Sequence, residues 1–380
     1  MTFNMRTVFL VSVLSAVTTL QARDRWSVEK VMDWQARTPW LCGSNFVPSS
    51  AINQLEMWQA ETFDPATIDR ELGWAEGIGF NTLRVFLHNL PYQQDAEGFL
   101  KRIDTFLIIA QKHQIGVMLV LLDDVWDPAP KLGKQRDPKP HVHNSGWVQA
   151  PGKEILGNPS RHEDLEPYVK GVLTRFGKDP RVVVWDVYNE PGNPNVSAYG
   201  PVELKDKEKY SLMLLKKVFA WSREVRPMQP LTVGGWNGDW AHPEKLTDLQ
   251  KYELDAPDVI SYHCYDPLPK MQMTVQFMKG FGRPVLCTEY MARPIGSTFA
   301  THLPYLKEEH VAAYNWGFVE GKSQTNYPWD SWQKTYTAEP PLWFHDIFRT
   351  NGTPYREEEV RLIKSLAPRA AASAAVSAGR

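Results

Sequence analysis

Two glutamates stand at the ends of strongly apolar segments, and their type and spacing suit paired chemistry. Glu190 follows the run Val-Val-Val-Trp-Asp-Val-Tyr-Asn, and Glu289 follows Val-Leu-Cys-Thr. The two residues lie 99 positions apart, which is close to three strand–helix units of roughly 30 residues in a barrel. Two carboxylates that face each other can serve as an acid and a nucleophile, which is what cleavage of a glycosidic bond requires.

Short apolar segments alternate with amphipathic segments along the chain, and these elements must position the glutamates. The apolar segments are rich in β-branched and aromatic residues and run without alternation, which is typical of strands covered on both faces. We predict strands at residues 41–47, 82–87, 116–122, 182–188, 231–235, 259–265, 285–290 and 311–318. We predict helices at residues 66–77, 100–113, 165–176, 207–225, 244–252, 270–279, 299–309 and 357–366.

Eight strand–helix pairs indicate an α/β fold, a single-domain (β/α)8 TIM barrel. A doubly wound sheet is disfavoured because no Gly-rich phosphate-binding loop follows the first strand. The two glutamates then lie on strands 4 and 7, at the C-terminal face where barrel enzymes carry their active sites. Long loops follow strand 3 (residues 124–163) and strand 8 (residues 320–350), and we expect them to build a cleft at this face.

The charge and the aromatic content of the chain limit the classes of molecule that it can bind. The chain has 42 Lys and Arg against 44 Asp and Glu, a net charge of −2, so no basic field attracts nucleic acid or an anionic membrane surface. Aromatic residues make up 12% of the chain, and amphipathic aromatic walls suit sugars, which have apolar faces and polar edges. The candidates for stacking on sugar rings are Trp40, Trp126, Trp147, Trp236, Trp240, Trp329 and Trp332.

Three cysteines, Cys42, Cys264 and Cys287, show no CxxC spacing. This pattern argues against a zinc knuckle, a redox dithiol or a disulfide framework, and it predicts buried free thiols. Pairing of Cys264 with Cys287 stays open, because it requires neighbouring strands with matched geometry. We expect no cofactor.

Five features in strand order resemble the retaining glycoside hydrolases of clan A, and family 5 in particular. They are Arg84 at the end of strand 2, Asn189-Glu190-Pro191 on strand 4, His263-Cys264-Tyr265 on strand 6, Glu289 on strand 7 and Trp316 on strand 8. The resemblance spans residues 41–366. It implies a glycosidase that hydrolyses a β-linked polysaccharide or oligosaccharide by double displacement.

For the reacting groups, the resemblance implies that Glu190 is the acid/base and Glu289 the nucleophile, with no metal. Arg84 and Tyr265 belong to the same sugar site. The positive charge of Arg84 would keep Glu289 ionised, and the Tyr265 hydroxyl would orient it. Aromatic neighbours such as Tyr188 would raise the pKa of Glu190, as suits an acid.

For the sugar, the resemblance implies that Asn189 binds the 2-hydroxyl, that His263 orders the acid/base and the sugar, and that Trp316 forms the platform beneath the ring. Trp236 is a further candidate contact. An exported protein fits this function. Arg6, a short apolar run and a cleavage point at Ala22 resemble a signal peptide, and an uncleaved anchor is disfavoured because the run is too short to span a bilayer.

We therefore predict a signal peptide at residues 1–22, a catalytic domain at 23–368 and a disordered Ala/Ser-rich tail at 369–380. The expected protein is a secreted or periplasmic monomer, with no membrane contact beyond its export signal.

Strand 3 departs from the family pattern, which carries a histidine near the end of this strand, where the present chain has Leu-Asp-Asp-Val-Trp. We expect Asp124 or Trp126 to contact the sugar instead, while simple capping of the strand by Asp123 and Asp124 is the alternative. The departure leaves open whether the substrate is a β-1,4-xylan, a β-mannan or a β-glucan. Endo and exo action also stay open.

Two other functions compete with this one. His141 and His143, with His113, Asp123 and Asp124, could form the metal site of a barrel hydrolase. The two histidines lie in a Pro/Lys-rich loop rather than at a strand end, which disfavours that hypothesis. A catalytically inactive sugar-binding barrel is the other alternative, and the intact glutamate pair argues against it.

Overall fold

The computed structural model describes residues 22–367. Eight parallel strands pair in sequence order, and β8 pairs with β1 to close the barrel. The predicted (β/α)8 barrel is therefore confirmed. The strands are β1 (Cys42–Phe46), β2 (Thr82–Phe86), β3 (Gly116–Val120), β4 (Val182–Asn189), β5 (Leu231–Gly235), β6 (Ile260–His263), β7 (Val285–Tyr290) and β8 (Ala312–Asn315).

Helices cover the outside of the barrel, and polar caps fix where several of them begin. Thr247 and Gln250 form a capping box, so the predicted helix at 244–252 begins at Asp248 instead. The first helix is not evident from the sequence, because it buries only Val31. The helices are α1 (Val28–Arg37), α2 (Gln54–Trp58), α3 (Pro65–Gly77), α4 (Asn89–Gln94), α5 (Ala96–Lys112), α6 (Lys153–Leu156), α7 (Glu166–Phe176), α8 (Lys207–Val225), α9 (Asp248–Asp255), α10 (Leu268–Lys279), α11 (Phe299–Glu308) and α12 (Glu357–Leu366).

Apolar side chains pack on both faces of the strands, as the unbroken apolar segments predict. The larger cluster lies between the strands and the surrounding helices. A second cluster joins α1 to strand residues such as Met118, Val184 and Leu286, and it fills the N-terminal end of the barrel. Polar residues of the barrel interior therefore gather at the C-terminal ends of the strands.

Two long loops stand over these C-terminal ends, as predicted. We call residues 121–152 loop 3 and residues 316–356 loop 8. Loop 3 and loop 8 are joined directly by hydrogen bonds. The Asn144 amide N–H donates to the Ser323 carbonyl (2.8 Å), and the indole N–H of Trp332 donates to the carbonyl of His143 (2.9 Å). Loop 3 and loop 8 therefore form one continuous structure above the barrel.

The structure tests the predicted state of the cysteines, but it does not describe most of the predicted signal peptide or the tail. Cys42, Cys264 and Cys287 are buried free thiols, so Cys264 and Cys287 do not pair. The predicted signal peptide, apart from Ala22, and the predicted tail at 369–380 lie outside the described residues. Within residues 22–367, each helix is too short or too polar to cross a membrane.

A buried arginine fastens loop 8 to the last helix. Arg293, which follows β7, donates to both carboxylate oxygens of Glu359 in α12, with a shortest distance of 2.6 Å. The same guanidinium donates to the carbonyls of His345 (2.8 Å) and Asp346 (3.0 Å) in loop 8. Because Arg293 is 5% exposed, this ion pair is largely shielded from water.

The substitution Arg293→Met should destabilise the fold strongly, because it leaves the Glu359 carboxylate buried without its cation. We expect a loss of about 3–5 kcal/mol in the free energy of unfolding, measured by urea denaturation. The control is Arg356→Met, since Arg356 is exposed and lies 3.9 Å from Glu358, where an ion pair contributes less than about 1 kcal/mol. Equal losses in the two variants would contradict this role of Arg293.

Candidate active site

The C-terminal ends of β4, β6 and β7 open into a cavity of about 450 Å³, a volume typical of sites for small ligands. Loops 3 and 8 supply the rest of its wall. The predicted site residues that line the cavity are Trp126, Asn189, Glu190, Trp236, His263, Tyr265, Glu289 and Trp316.

Glu190 follows the last residue of β4 and turns sharply into the cavity. Its backbone has a φ of 44°, a left-handed conformation that is uncommon for a residue other than glycine, and its N–H donates to the Gly234 carbonyl (2.9 Å). One carboxylate oxygen lies 2.7 Å from Nδ1 of His263. The other accepts from the side-chain amide of Asn193 (2.6 Å). The side chain is therefore held at both oxygens.

Glu289 lies within β7 and faces Glu190. One of its carboxylate oxygens accepts from Arg84 (3.0 Å), and the other accepts from the Tyr265 hydroxyl (2.7 Å). One carboxylate oxygen of each glutamate and a ring nitrogen of His263 all lie within 4.8 Å of one another. The two glutamates that the sequence singles out are thus adjacent and share one cavity.

Arg84 lies beneath the glutamates rather than in the cavity. Its guanidinium is fully buried and donates to Asp186 (2.8 Å), Asn189 (2.6 Å) and Asn45 (2.8 Å) as well as to Glu289. The prediction of Arg84 as a sugar contact is corrected here, because every side of this cation is already occupied by protein acceptors. Its position beside Glu289 matches the expected charge contact.

Asn189 lines the cavity, and its amide is fixed from below. The amide oxygen accepts from Arg84, and the amide nitrogen donates to Asp123 (2.9 Å). Asp123 also accepts from the indole of Trp147 (2.7 Å) and from Gln54 (3.0 Å). Burial raises the pKa of Asp123 to about 8. Asp123 therefore orients Asn189, a role that goes beyond capping the strand.

Asp124 points away from the cavity, so it does not make the expected sugar contact. Its carboxylate accepts from the Tyr188 hydroxyl (2.7 Å), the Gly192 N–H (2.7 Å) and the Ser211 hydroxyl (2.6 Å). Neighbouring residues in an extended chain face opposite sides, and this alternation separates Asp123 from Asp124. Asp124 holds the segment after β4 against α8.

The aromatic candidates divide into two groups. Trp126, Trp147, Trp236 and Trp329 line the cavity together with Trp316. Trp332 lies behind this lining and stacks on Trp126, with ring centres 5.9 Å apart. The other two lie elsewhere, since Trp40 donates to the Val311 carbonyl and Trp240 stacks on Phe277.

Sequence reasoning missed several residues of the cavity. Asn193 follows the Asn-Glu-Pro motif and binds Glu190, and its closeness to that motif is a signal that could have been used. His143 and Asn144 of loop 3 also line the cavity. The sequence names His143 only as a metal candidate and does not single out Asn144, because neither residue lies near a strand end.

Burial raises the pKa of both carboxylic acids, and their neighbours differ. Burial raises the pKa of Glu190 to about 7, against the opposing hydrogen bond from Asn193. Burial also raises the pKa of Glu289, while the positive charge of Arg84 and the Tyr265 hydroxyl act against that rise. Burial lowers the pKa of His263 to about 4, so its ring is neutral near pH 7. The arrangement suits a protonated Glu190 beside a charged Glu289.

The alternative metal constellation does not assemble. His113 lies after α5, and its ring nitrogens bond the carboxylates of Glu76 and Asp69 in α3. His141 and His143 both bond Tyr327 of loop 8. Neither histidine contacts the two aspartates of loop 3, whose carboxylates have the partners given above.

A closed barrel with paired carboxylates at the C-terminal ends of β4 and β7 defines a glycosidase of the barrel class. Residues 55–336 match the family described as Cellulase (glycosyl hydrolase family 5). The chain belongs to glycosyl hydrolase family 5, and it is a glycoside hydrolase. No curated protein matches its sequence.

Solved structures with the same fold include several enzymes that act on mannosides. The exo-β-1,4-mannosidase Op5Man5 from Opitutaceae bacterium strain TAV5 is 18% identical, with a TM-score of 0.57, and the match covers 86% of this chain but 59% of that one. A GH5_18 protein from Streptomyces cattleya in complex with Manb1-4GlcNAc is 11% identical, with a TM-score of 0.56 and coverage of 86% and 80%. The β-mannanase from the blue mussel Mytilus edulis is 14% identical, with a TM-score of 0.51 and coverage of 79% and 93%.

A glycine at the end of β5 leaves the room that the polar groups of the site occupy. A Cβ on Gly234 would lie 2.9 Å from the Arg84 guanidinium and 3.2 Å from both the Asn189 amide oxygen and Nε2 of His263. On the next residue, Gly235, a Cβ would meet its nearest atoms at 3.5 Å, an ordinary contact distance. Gly235 is therefore a suitable control position for a substitution of Gly234.

The substitution Gly234→Ala should lower kcat/KM by about 100-fold, because displacing reacting groups by about 1 Å costs that much. Gly235→Ala should retain activity within about threefold. Hydrolysis of a 4-nitrophenyl β-glycoside measures the effect, and circular dichroism of both variants checks that each is folded. A fully active Gly234→Ala variant would show that the close packing around Arg84 is unimportant for the reaction.

Proposed function

We propose that this protein is a retaining β-glycosidase that acts by double displacement. The observation that carries the proposal is the short separation of the two glutamates, since one carboxylate oxygen of Glu190 lies within 4.8 Å of one of Glu289. Retaining glycosidases hold their two carboxyl groups about 5–5.5 Å apart, whereas inverting enzymes leave about 6.5–9.5 Å for a water molecule. The shorter separation supports direct attack by a carboxylate on the sugar.

In the first step, protonated Glu190 gives its proton to the glycosidic oxygen while a carboxylate oxygen of Glu289 attacks the anomeric carbon. The bond between that carbon and the leaving oxygen breaks, and the aglycone departs as an alcohol. In the second step, Glu190 takes a proton from water, and the water oxygen attacks the same carbon. The bond to Glu289 breaks, which restores both glutamates and releases the sugar with its original configuration.

The surrounding residues position these groups. Arg84 and Tyr265 hold the two oxygens of Glu289, so one lone pair can point at the sugar. We assign Asn189 to the sugar 2-hydroxyl, since its amide lines the cavity beside both glutamates. His263 keeps Glu190 in place, and the indole of Trp316 supplies the apolar platform for the ring.

For the substrate, we propose a β-mannoside as the first choice. The similar structures named above include a mannosidase, a mannanase and a protein bound to Manb1-4GlcNAc, and this supports mannose over xylose or glucose at the reacting position. A panel of 4-nitrophenyl β-mannoside, β-glucoside and β-xyloside, followed by the matching polysaccharides, ranks the three. Binding without turnover on the whole panel would instead favour the inactive sugar-binding barrel.

Substitution of the two glutamates should separate their roles. Glu289→Gln should abolish turnover while sugar binding persists, because the covalent intermediate cannot form. Glu190→Ala should lose about 10²–10⁴-fold in rate on an unactivated glycoside. With an activated aryl glycoside, whose leaving group departs without a proton, the covalent intermediate still forms; azide should then restore turnover by attacking it, and the β-glycosyl azide is identified by NMR.

Glu208→Gln is the control for these variants, since Glu208 is exposed on α8 and should leave the rate unchanged. An α-glycosyl azide would contradict double displacement. Prolonged chelation tests the metal alternative, because Glu190, His263 and Glu289 are spaced closely enough to hold an ion. Activity that disappears on chelation and returns with added metal would refute the proposal.

The pH profile should show a basic limb near pH 7, since Glu190 must be protonated to act and its pKa is about 7. As pH rises through this value, the acid loses its proton and kcat/KM falls. With a 2,4-dinitrophenyl glycoside, whose leaving group needs little protonation, Glu190→Ala should lack this limb. A basic limb that persists unchanged in Glu190→Ala would assign the titration to another group.

A further inference from the structure

One end of the catalytic cavity is closed by a wall of residues from loops 3 and 8, which we call the loop wall. Trp147 packs edge-on against Phe86 of β2 and against Trp316 after β8, with ring centres 5.1 and 5.6 Å apart. Trp126 and Trp332 continue the wall as a stacked pair. These contacts join loop 3 to the barrel and to loop 8.

Little space is left behind the loop wall. The void between Trp147, Trp316 and the end of β1 is about 20 Å³, which is roughly the room that one water molecule needs. A second sugar ring does not fit there. A saccharide that reaches the glutamates from this side therefore has to end at the loop wall.

The side chain of Asn144 belongs to this closed end. Asn144 lines the cavity and is 1% exposed, yet neither its amide nitrogen nor its amide oxygen has a hydrogen-bond partner among the described residues. Its backbone is fixed by bonds to Ser323 and Trp147. A buried amide without partners costs free energy unless a ligand supplies them. Vicinal sugar hydroxyls can both donate to and accept from such an amide.

The leaving group must occupy the opposite end of the cavity. The proton donor has to lie beside the oxygen that departs, and Glu190 is bonded to Asn193 on the segment after β4. The side of the cavity across the barrel from β2, where Trp147 packs, is bordered by Trp236, which follows β5. The remainder of a long substrate can therefore extend into solvent past Trp236, whose neighbour Asn237 is exposed, while the far side of the reacting sugar faces the loop wall.

On the basis of the proposed glycosidase function, we infer that the enzyme acts from the non-reducing end, and that Asn144 binds the free hydroxyls of the terminal sugar. In a 1,4-linked chain, an internal sugar has lost its 4-hydroxyl to a glycosidic bond, and the next ring would collide with Trp147. The terminal sugar alone satisfies both the space and the unpartnered amide. Each event releases one monosaccharide.

Product analysis tests the direction of cleavage. The substrate is a linear β-1,4-mannopentaose whose reducing end has been reduced with borohydride, and products are followed by mass spectrometry. The expected first products are mannose and the reduced tetrasaccharide, and the viscosity of a long mannan should stay nearly constant while sugar is released. Early disaccharides or trisaccharides, or a rapid fall in viscosity, would overturn the inference.

Substitution of Asn144 tests the recognition. Asn144→Gly is the suitable change, because a φ of 47° at this position is readily adopted by glycine. With 4-nitrophenyl β-mannoside, kcat/KM should fall about 10- to 100-fold. With the 4-deoxy analogue, wild type and variant should agree within about threefold. The control is Asn237→Gly, an exposed residue outside the catalytic cavity.

The outcomes separate the two proposals. Wild-type protein that hydrolyses none of the aryl glycosides or oligosaccharides would refute the glycosidase function itself. Hydrolysis with internal cleavage would leave the glycosidase intact and overturn the terminal action. Equal losses on the normal and 4-deoxy substrates in Asn144→Gly would overturn the assignment of Asn144 as a hydroxyl-binding residue and indicate that it only shapes the loop.

Discussion

The chemistry of this site depends on one buried cation. Arg84 is fully buried between Asp186 and Glu289, at 2.8 and 3.0 Å, and its charge offsets the cost of keeping a carboxylate away from water. Glu190 has no such cation in contact, since its partners are the Asn193 amide and the His263 ring. Two carboxylates so close together cannot both ionise readily, so the proton belongs on the one without the cation. In the proposed mechanism, Arg84 thereby distinguishes the acid from the nucleophile from beneath the cavity floor.

The rest of the polar framework keeps this division in place. Asp123 and Asp124 are adjacent in the chain, but their side chains face opposite directions and bind different partners. Asp123 ties Asn189 to Trp147, and so connects the floor of the site to the loop wall. Asp124 binds Gly192, and so fixes the segment that follows Glu190. The left-handed backbone of Glu190 is maintained by these neighbours, which is how strained residues persist at functional sites.

The sequence predicts the barrel and the closeness of Glu190 to Glu289, but it predicts their surroundings poorly, and the difference is physical. Unbroken apolar segments report burial on two faces, and Glu190 and Glu289 follow such segments directly. Arg84 lies in the middle of β2 rather than at its predicted end, and Asp124 lies four residues past β3; their directions depend on strand alternation and on partners distant in the chain. The position of Asn144 is fixed by contacts between two long loops. Residue type and spacing carry no signal for a position fixed in that way.

The proposed bond cleavage and the proposed selection of a chain end therefore depend on different parts of the molecule. The reacting groups are positioned by strands and by the Arg84 network, where each side chain is tied to the sheet by several short hydrogen bonds. The loop wall is held by contacts of loops 3 and 8 with each other and by the packing of Trp147 against Phe86 and Trp316. Loops on a barrel rim can change while the scaffold is retained. A barrel with the same glutamates and a shorter loop 3 would keep the bond-breaking chemistry and lose the closed end, because Trp147 and Asn144 both belong to that loop.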